Sequence, residues 1–494
     1  MMKVWWRIHQ VFGVFSGIAL IFWAFSGVLH PIIARLQPKP VTLFPPTQVV
    51  NLALAKPLAS VMAQHRLKSV YQVGLATLDG QAYYQVWQSA KTPAEYFAVQ
   101  DGVRLPAGDQ RYALILARHF TGKMYAPAQV TWVSTFTADY PAVQKLLPLW
   151  RVDFNDGSGL RAYIDTQRAC LSTLSDPRRE VLMQVFRVLH SWSFLQAWPR
   201  VAQVGMLVLM TLSGLYLWWS WRKTSARRLK RHGLTRWHRQ LTLWAAVPLL
   251  MLSISAAYRV WHHAQTAVIP SNIIVPWAVF PRHALTDEGW KQIVAQPLSR
   301  LSLAWLNGAV VWQWMAAQQQ LQAGERAQVA HLAFGEHVHT LNQTTPKMVK
   351  GFQLSDAKTG TVFFHGSVQL ARELASQYAA LSPMQIVSVR LVRQFGDEYG
   401  FFNKLLPVYR VEFMGSTHPR YYVDTVSGVL AARIDDDAAR EGWSFSYLHK
   451  WNFIRLSKDW RDSLLAFGTL VSLNLAGIGL IRRWQRRLPR RLSR

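Results

Sequence analysis

The sequence predicts a membrane α-helical protein in which four transmembrane helices form two parallel helix–domain–helix repeats, with an α+β domain in each repeat on the periplasmic side. Three observations carry this. Four uncharged apolar runs, Ile8–Ala34, Val201–Trp221, Gln240–Tyr258 and Ser463–Ile481, each come near or above the ~20 residues that a spanning helix needs. Basic charge is concentrated beside these runs: Arg222–Arg239 holds eight Lys/Arg and no acid, and Arg482–Arg494 holds seven arginines and no acid. The third observation is an internal repeat. Lys145-Leu-Leu-Pro-Leu-Trp-Arg-Val-Asp-Phe154 recurs as Lys404-Leu-Leu-Pro-Val-Tyr-Arg-Val-Glu-Phe413 with seven identities in ten, and at the same offset of 259 Tyr163-Ile-Asp-Thr166 matches Tyr422-Val-Asp-Thr425. His190-Ser-Trp-Ser-Phe194 matches His449-Lys-Trp-Asn-Phe453 at that offset too.

In chain order, residues 4–34 form transmembrane helix 1, read as an uncleaved anchor because its apolar run is too long for a signal peptide and lacks a small-residue cleavage site. Residues 35–185 form the first outer domain, where the β-rich Tyr83–Trp87 and the helix-like Gln110–Phe120 mark an α+β fold. Residues 186–222 hold an interfacial segment and transmembrane helix 2, 223–236 a basic loop, and 237–263 transmembrane helix 3. The second outer domain spans 264–442, an interfacial segment and transmembrane helix 4 span 443–483, and a basic tail spans 484–494. Tryptophans at the ends of the runs, among them Trp5, Trp219, Trp237, Trp261 and Trp460, fit an interfacial belt. By the positive-inside rule both termini and the basic loop are cytoplasmic and both outer domains periplasmic, in a bacterial inner membrane. Copies that each start and end inside run parallel about an axis along the membrane normal.

Composition removes several classes. The single cysteine, Cys170, excludes an internal disulfide, a four-cysteine iron–sulfur site and a CxxC redox pair. The net charge of +29 is explained by topology rather than by nucleic acid, since its runs abut apolar segments. A Gly-rich dinucleotide motif after a strand is missing, so electrons for any redox chemistry come from quinol or a separate donor.

Histidines in and beside the apolar runs are the candidate site. His9 and His30 lie near the ends of the first run, roughly 31 Å apart along a helix axis. His238 opens the third helix, and His262 or His263 closes it. With His190 and His449 they give a cytoplasmic set, His9 and His238, and an outer set, His30, His190, His262 or His263, and His449. Ionisable groups in a span are costly and point to function. Paired neutral imidazoles without cysteine or paired carboxylates disfavour zinc and di-iron centres and fit bis-histidine haem b, two haems per chain. Two pairings stay open: one haem at each membrane face, or both on the outer side, on His30 with His190 and His262 with His449. Gly13-Val-Phe-Ser-Gly17 permits close approach of a helix or macrocycle. His331, His337, His339 and His365 are read as surface histidines.

The order of helix, outer domain and helix, with Trp6-Arg-Ile-His9 and Arg236-Trp-His238 opening helices, the Tyr-Asp-Thr strands, and Leu189-His-Ser-Trp192 and Leu448-His-Lys-Trp451 before the returning helices, resembles the PepSY-associated transmembrane family. The resemblance implies PepSY-like outer domains and a haem b-containing inner-membrane oxidoreductase that reduces ferric siderophore in the periplasm to release iron. It places haem ligation on the histidines above. An alternative from the same resemblance is a periplasmic binding or protease-regulating membrane protein without redox activity.

Overall fold

A computed structural model of the protein describes residues 2–42, 44–192, 194–224, 233–265, 273–274, 279–317, 352–400 and 403–487. His331, His337 and His339, residues 225–232 of the basic loop and residues 488–494 of the tail lie outside the described residues. The chain divides into two compact units, 1–37 with 178–269 and 438–494, and 38–177 with 270–437.

Among the described residues, the first unit contains four helices long and apolar enough to cross a membrane, so this is a multi-pass membrane protein. They run Met2–Leu36, Ala197–Thr224, Leu234–Gln265 and Lys458–Arg487. Each is longer than its uncharged run, because charged and aromatic residues at both ends continue the helix past the apolar stretch. The first helix packs on the second and fourth, and the third on the same two. Leu20, Leu207, Ala245, Leu249 and Ala476 form the buried seam, with Trp23 and Met210 against it. Two buried hydroxyls return their protons to the helix backbone, Thr211 to the Leu207 carbonyl at 2.8 Å and Ser472 to Gly468 at 2.8 Å, whereas the buried Ser16 and Ser255 hydroxyls do not. Such bonds let Thr211 and Ser472 sit at helix contacts with their donors satisfied. Phe15, Phe25, Trp244 and Phe467 face outward, as a lipid-facing surface requires. Of the Gly13/Gly17 pair, only Gly17 meets another helix: a Cβ there would touch Leu480 at an ordinary 3.5 Å, whereas at Gly13 it would meet nothing within 4 Å.

The second unit is α+β. Its first segment builds an antiparallel sheet from Gln72–Leu78, Gln81–Trp87, Glu95–Ala98 and Arg104–Leu105, then the helix Gly108–Thr121, then a second antiparallel sheet from Ala128–Val133, Leu149–Phe154, Arg161–Asp165 and Cys170–Ser175. Tyr112, Leu116 and Phe120 recur every fourth residue and bury that helix against both sheets. Gly122 ends it at φ 72°, returning its N–H to the Arg118 carbonyl. The second segment repeats the plan. A sheet of Leu298–Leu306, Ala309–Ala316, Gln353–Asp356 and Val362–Phe363 precedes the helix Gly366–Ala379. The sheet that follows contains Ile386–Val392, Val408–Phe413, Arg420–Asp424 and Val429–Ile434.

Both segments share one unit. Val50 bridges Leu298, Ser69–Val70 pairs with Phe280–Pro281, and the Gln72 carboxamide bonds both backbone groups of Leu303, at 3.2 and 3.0 Å. Stacked tyrosines, Tyr140 on Tyr163 and Tyr399 on Tyr422, meet in a common core. The repeated lysines reach across: Lys145 Nζ donates to Asn403 Oδ1 at 2.5 Å, and Lys404 Nζ to the Ser172 carbonyl at 3.0 Å. Burial pulls the Lys145 ammonium down to about 8.

Candidate functional site

Four of the candidate histidines form two pairs within the membrane unit. The first pair is His9 with His238, ring centroids 6.4 Å apart and planes at 69°. His9 projects from the first helix onto the second, where its Nδ1 lies 3.2 Å from both the Met210 carbonyl and Ser213 Oγ. A carbonyl only accepts, and the Ser213 hydroxyl already donates to Met210 at 2.8 Å. Nδ1 therefore carries the proton, and Nε2 is the free base. Glycine makes the approach possible: a Cβ on Gly214 would stand 3.1 Å from His9 Cε1. His238, from the third helix, lies the same way against the fourth, where a Cβ on Gly479 would stand 3.3 Å from its Cε1. His238 is turned toward the Leu475 backbone four residues before Gly479, as His9 is toward Met210 four residues before Gly214.

The second pair is His190 with His449, centroids 6.2 Å apart and planes at 87°. Both occupy a single π-turn, Arg187–Ser191 and Phe445–His449, a distortion that re-aims side chains and recurs at functional sites. Each ring stacks on the phenylalanine four residues earlier, His190 on Phe186 at 4.7 Å and His449 on Phe445 at 4.9 Å. Each is followed two residues later by a tryptophan at positive φ, Trp192 at 45° and Trp451 at 55°. The Ser26 hydroxyl donates to the Trp23 carbonyl at 3.0 Å, so it accepts from His190 Nδ1–H at 3.0 Å and leaves Nε2 free. His449 Nδ1 is buried without a hydrogen bond. Burial holds His190 down at about 4 and His449 at about 3, so both are neutral near pH 7. Around them, Arg259 pairs with Glu441 at 2.7 Å and lies over the Phe445 ring at 4.5 Å, with Lys450 Nζ 5.0 Å from the same ring.

The two levels are linked by the first helix. His9 serves one and Ser26 the other, 17 residues on, which is roughly 25 Å along the axis. His30 is exposed and lies against Phe186, ring centroids 5.5 Å apart, within electrostatic reach of His190 and His449. His262 lies against Tyr258 and His263 at the end of the third helix. His365 starts the helix Gly366–Ala379 at φ 57° and belongs to the second unit. Ser26, Ser213, Gly214, Gly479, Phe186 and Phe445 were not legible as site residues from sequence. For the phenylalanines a signal existed, because Phe186 and Phe445 are also 259 residues apart.

Each level thus offers two imidazole nitrogens, and among the described residues no group of three or more His, Cys, Asp or Glu side chains is placed to hold a bare metal ion. The sequence matches the family described as the PepSY-associated TM region over residues 6–341, more than half of the chain. The chain belongs to the PepSY-associated TM family. Within the family match lie His9, His30, His190, His238 and His262, while His449 lies beyond it and is tied to His190 by the repeat and the ring contact. Comparison with curated proteins finds none that matches.

Proposed function

We propose that this PepSY-associated TM protein is a haem b-containing oxidoreductase of the bacterial inner membrane that reduces ferric siderophore in the periplasm. The observation that carries the reading is the pair of imidazole pairs. Each pair brings two neutral imidazoles to a ring-centroid spacing of 6.4 or 6.2 Å, and their ring nitrogens are the donors that would hold a haem b iron. The donor chemistry agrees as well: one ring of each pair is fixed through Nδ1–H, His9 by Ser213 and Met210 and His190 by Ser26, and each level offers the two donors that a haem would leave for the protein to supply.

In this reading His9 and His238 hold the cytoplasmic haem and His190 and His449 the periplasmic one. The positive-inside rule sets the direction, with both termini and the basic loop cytoplasmic, and the halves run parallel about an axis along the membrane normal. A haem b held at each level supplies a reversible one-electron centre. The chain's own residues do the rest. Leu20, Leu207 and Leu249 keep the space between levels apolar, and Trp23, packed on Trp192 at 5.3 Å, fills the approach to the outer pair. Quinol or a separate donor supplies the electrons. One quinol, oxidised to quinone with release of two protons, reduces two ferric ions to ferrous ions. Hard oxygen ligands hold ferrous iron less tightly, so the siderophore lets it go.

The test is quinol-dependent ferrous release from a ferric siderophore by inside-out and right-side-out membrane vesicles, with a ferrous chelator on the siderophore's side. The reading predicts release only with siderophore on the periplasmic face, abolished by His190→Ala. Wild-type rates from a His190→Ala, His238→Ala double variant would overturn it and favour the binding-module alternative.

A further inference from the structure

We propose that the protein associates with a second copy of itself through the outward face of its fourth membrane helix, Lys458–Arg487. Ser463, Phe467, Leu470, Asn474, Ile481 and Trp484 are exposed on this helix, and with Gly477 they follow a strict alternation of four and three residues. That spacing traces one continuous face along the whole length of the helix, the geometry a partner helix would use. The opposite face is already used: Ser472 and Ala476 are buried in the bundle, and a Cβ on Gly468 would meet Pro248 at 3.7 Å.

Asn474 identifies the occupant. It lies in the middle of the uncharged run Ser463–Ile481 and points outward. Its Nδ2 donates to the Leu470 carbonyl at 2.8 Å, which uses one of its two N–H groups and leaves Oδ1 and the other N–H toward hydrocarbon. Unsatisfied polar groups there cost several kcal/mol each. Lipid tails offer no partner at this depth, and a headgroup does not reach it. A carboxamide is self-complementary, donor and acceptor together, so a two-fold axis along the membrane normal sets Asn474 against the partner's Asn474 and satisfies both. An isologous contact needs nothing that this face lacks. Gly477, one turn on, would present a Cβ to open space, so the backbone is free for close approach. The seam carries no charge between positions 463 and 481, so a partner bringing a charged group to this depth finds no counterpart.

The test uses the full chain in its native membrane, in a Cys170→Ser background, with single cysteines introduced by Phe467→Cys, Leu470→Cys, Asn474→Cys or Ile481→Cys and by Val247→Cys, which lies on the exposed face of the third helix. On oxidation, the proposal expects covalent dimer at the fourth-helix positions at least tenfold above Val247→Cys. A non-covalent readout by single-molecule photobleaching in vesicles accompanies it. Asn474→Leu lowers the association constant roughly tenfold, and Asn474→Gln retains it. Equal cross-linking at Val247→Cys, single-step bleaching of the wild type, or cross-linking to a different protein would each overturn the proposal. None of these readouts depends on haem.

Discussion

Removing the Ser26 hydroxyl tests how the outer imidazole pair is held. In Ser26→Ala the acceptor for His190 Nδ1–H, 3.0 Å away, disappears. The lost hydrogen bond is worth ~0.5–1.5 kcal/mol, and a stranded, partly buried N–H costs ~1–3 kcal/mol. The ring also loses the contact that fixes its tautomer. Second partners of ligating histidines typically govern about 10–100-fold in affinity, equivalent to ~1.4–2.8 kcal/mol, which overlaps the cost of a stranded N–H. The assay is haem titration of haem-depleted membranes, followed by optical redox titration. Ser26→Ala should weaken one of two binding phases by roughly 10–100-fold and shift the potential of that phase alone, while Ser26→Thr, which keeps the hydroxyl, restores both. Two unaltered phases in Ser26→Ala would refute the inference that this hydroxyl orients His190.

Further outcomes follow from the same geometry. Gly214→Ala brings a Cβ to 3.1 Å from His9 and should weaken the other phase, whereas Gly205→Ala on the same helix, where a Cβ meets nothing within 4 Å, should raise thermal stability by up to ~1 kcal/mol through helix propensity. Equal behaviour of the two variants in haem titration would remove the proposed His9 packing. His9→Ala and His449→Ala should each lose one haem, His9→Ala from the Ser26-insensitive phase and His449→Ala from the Ser26-sensitive phase. In the α+β unit, Lys145 binds its proton less tightly when folded, at about 8, than when unfolded, at ~10.4. The unfolded state therefore holds more protons between those values. The contribution is fully present above the unfolded value and is lost as pH falls through the window. The stability difference between wild type and Lys145→Gln, measured by denaturant unfolding, should accordingly move in favour of wild type from pH 8 to 10. A flat difference would contradict the buried placement of Lys145.

Much of this was readable before any coordinates because the relevant signals are strong against their background. Uncharged runs of about 20 residues have few structural uses, and a histidine at each end of such a run is conspicuous. The spans appear where the runs lie, and the helix Gly108–Thr121 covers the segment Gln110–Phe120. Which histidines face each other was not readable. That depends on helix rotation and on the two π-turns, which come from packing rather than from local propensity. The serines and glycines that seat the rings were hidden for a different reason: small residues serve every close helix contact, so Gly13 and Gly17 stood out while Gly214 and Gly479 meet the imidazoles. The repeat also extends further than the matched strings. Asp139-Tyr140 and Glu398-Tyr399 keep the 259 offset, and their acids accept from Tyr163 and Tyr422 at 3.0 and 2.7 Å, but acid exchange obscured the match. The union of both outer segments in one unit rests on side-chain bonds such as Gln72 to Leu303, which no periodicity announces.

The most direct measurement of the central claim is the absorption spectrum of the detergent-purified chain, oxidised and dithionite-reduced, with a pyridine haemochrome count against protein. The account predicts a low-spin Soret band and two haems b per chain, falling to about one in the His9→Ala variant. A featureless spectrum from protein made with ample haem would contradict it.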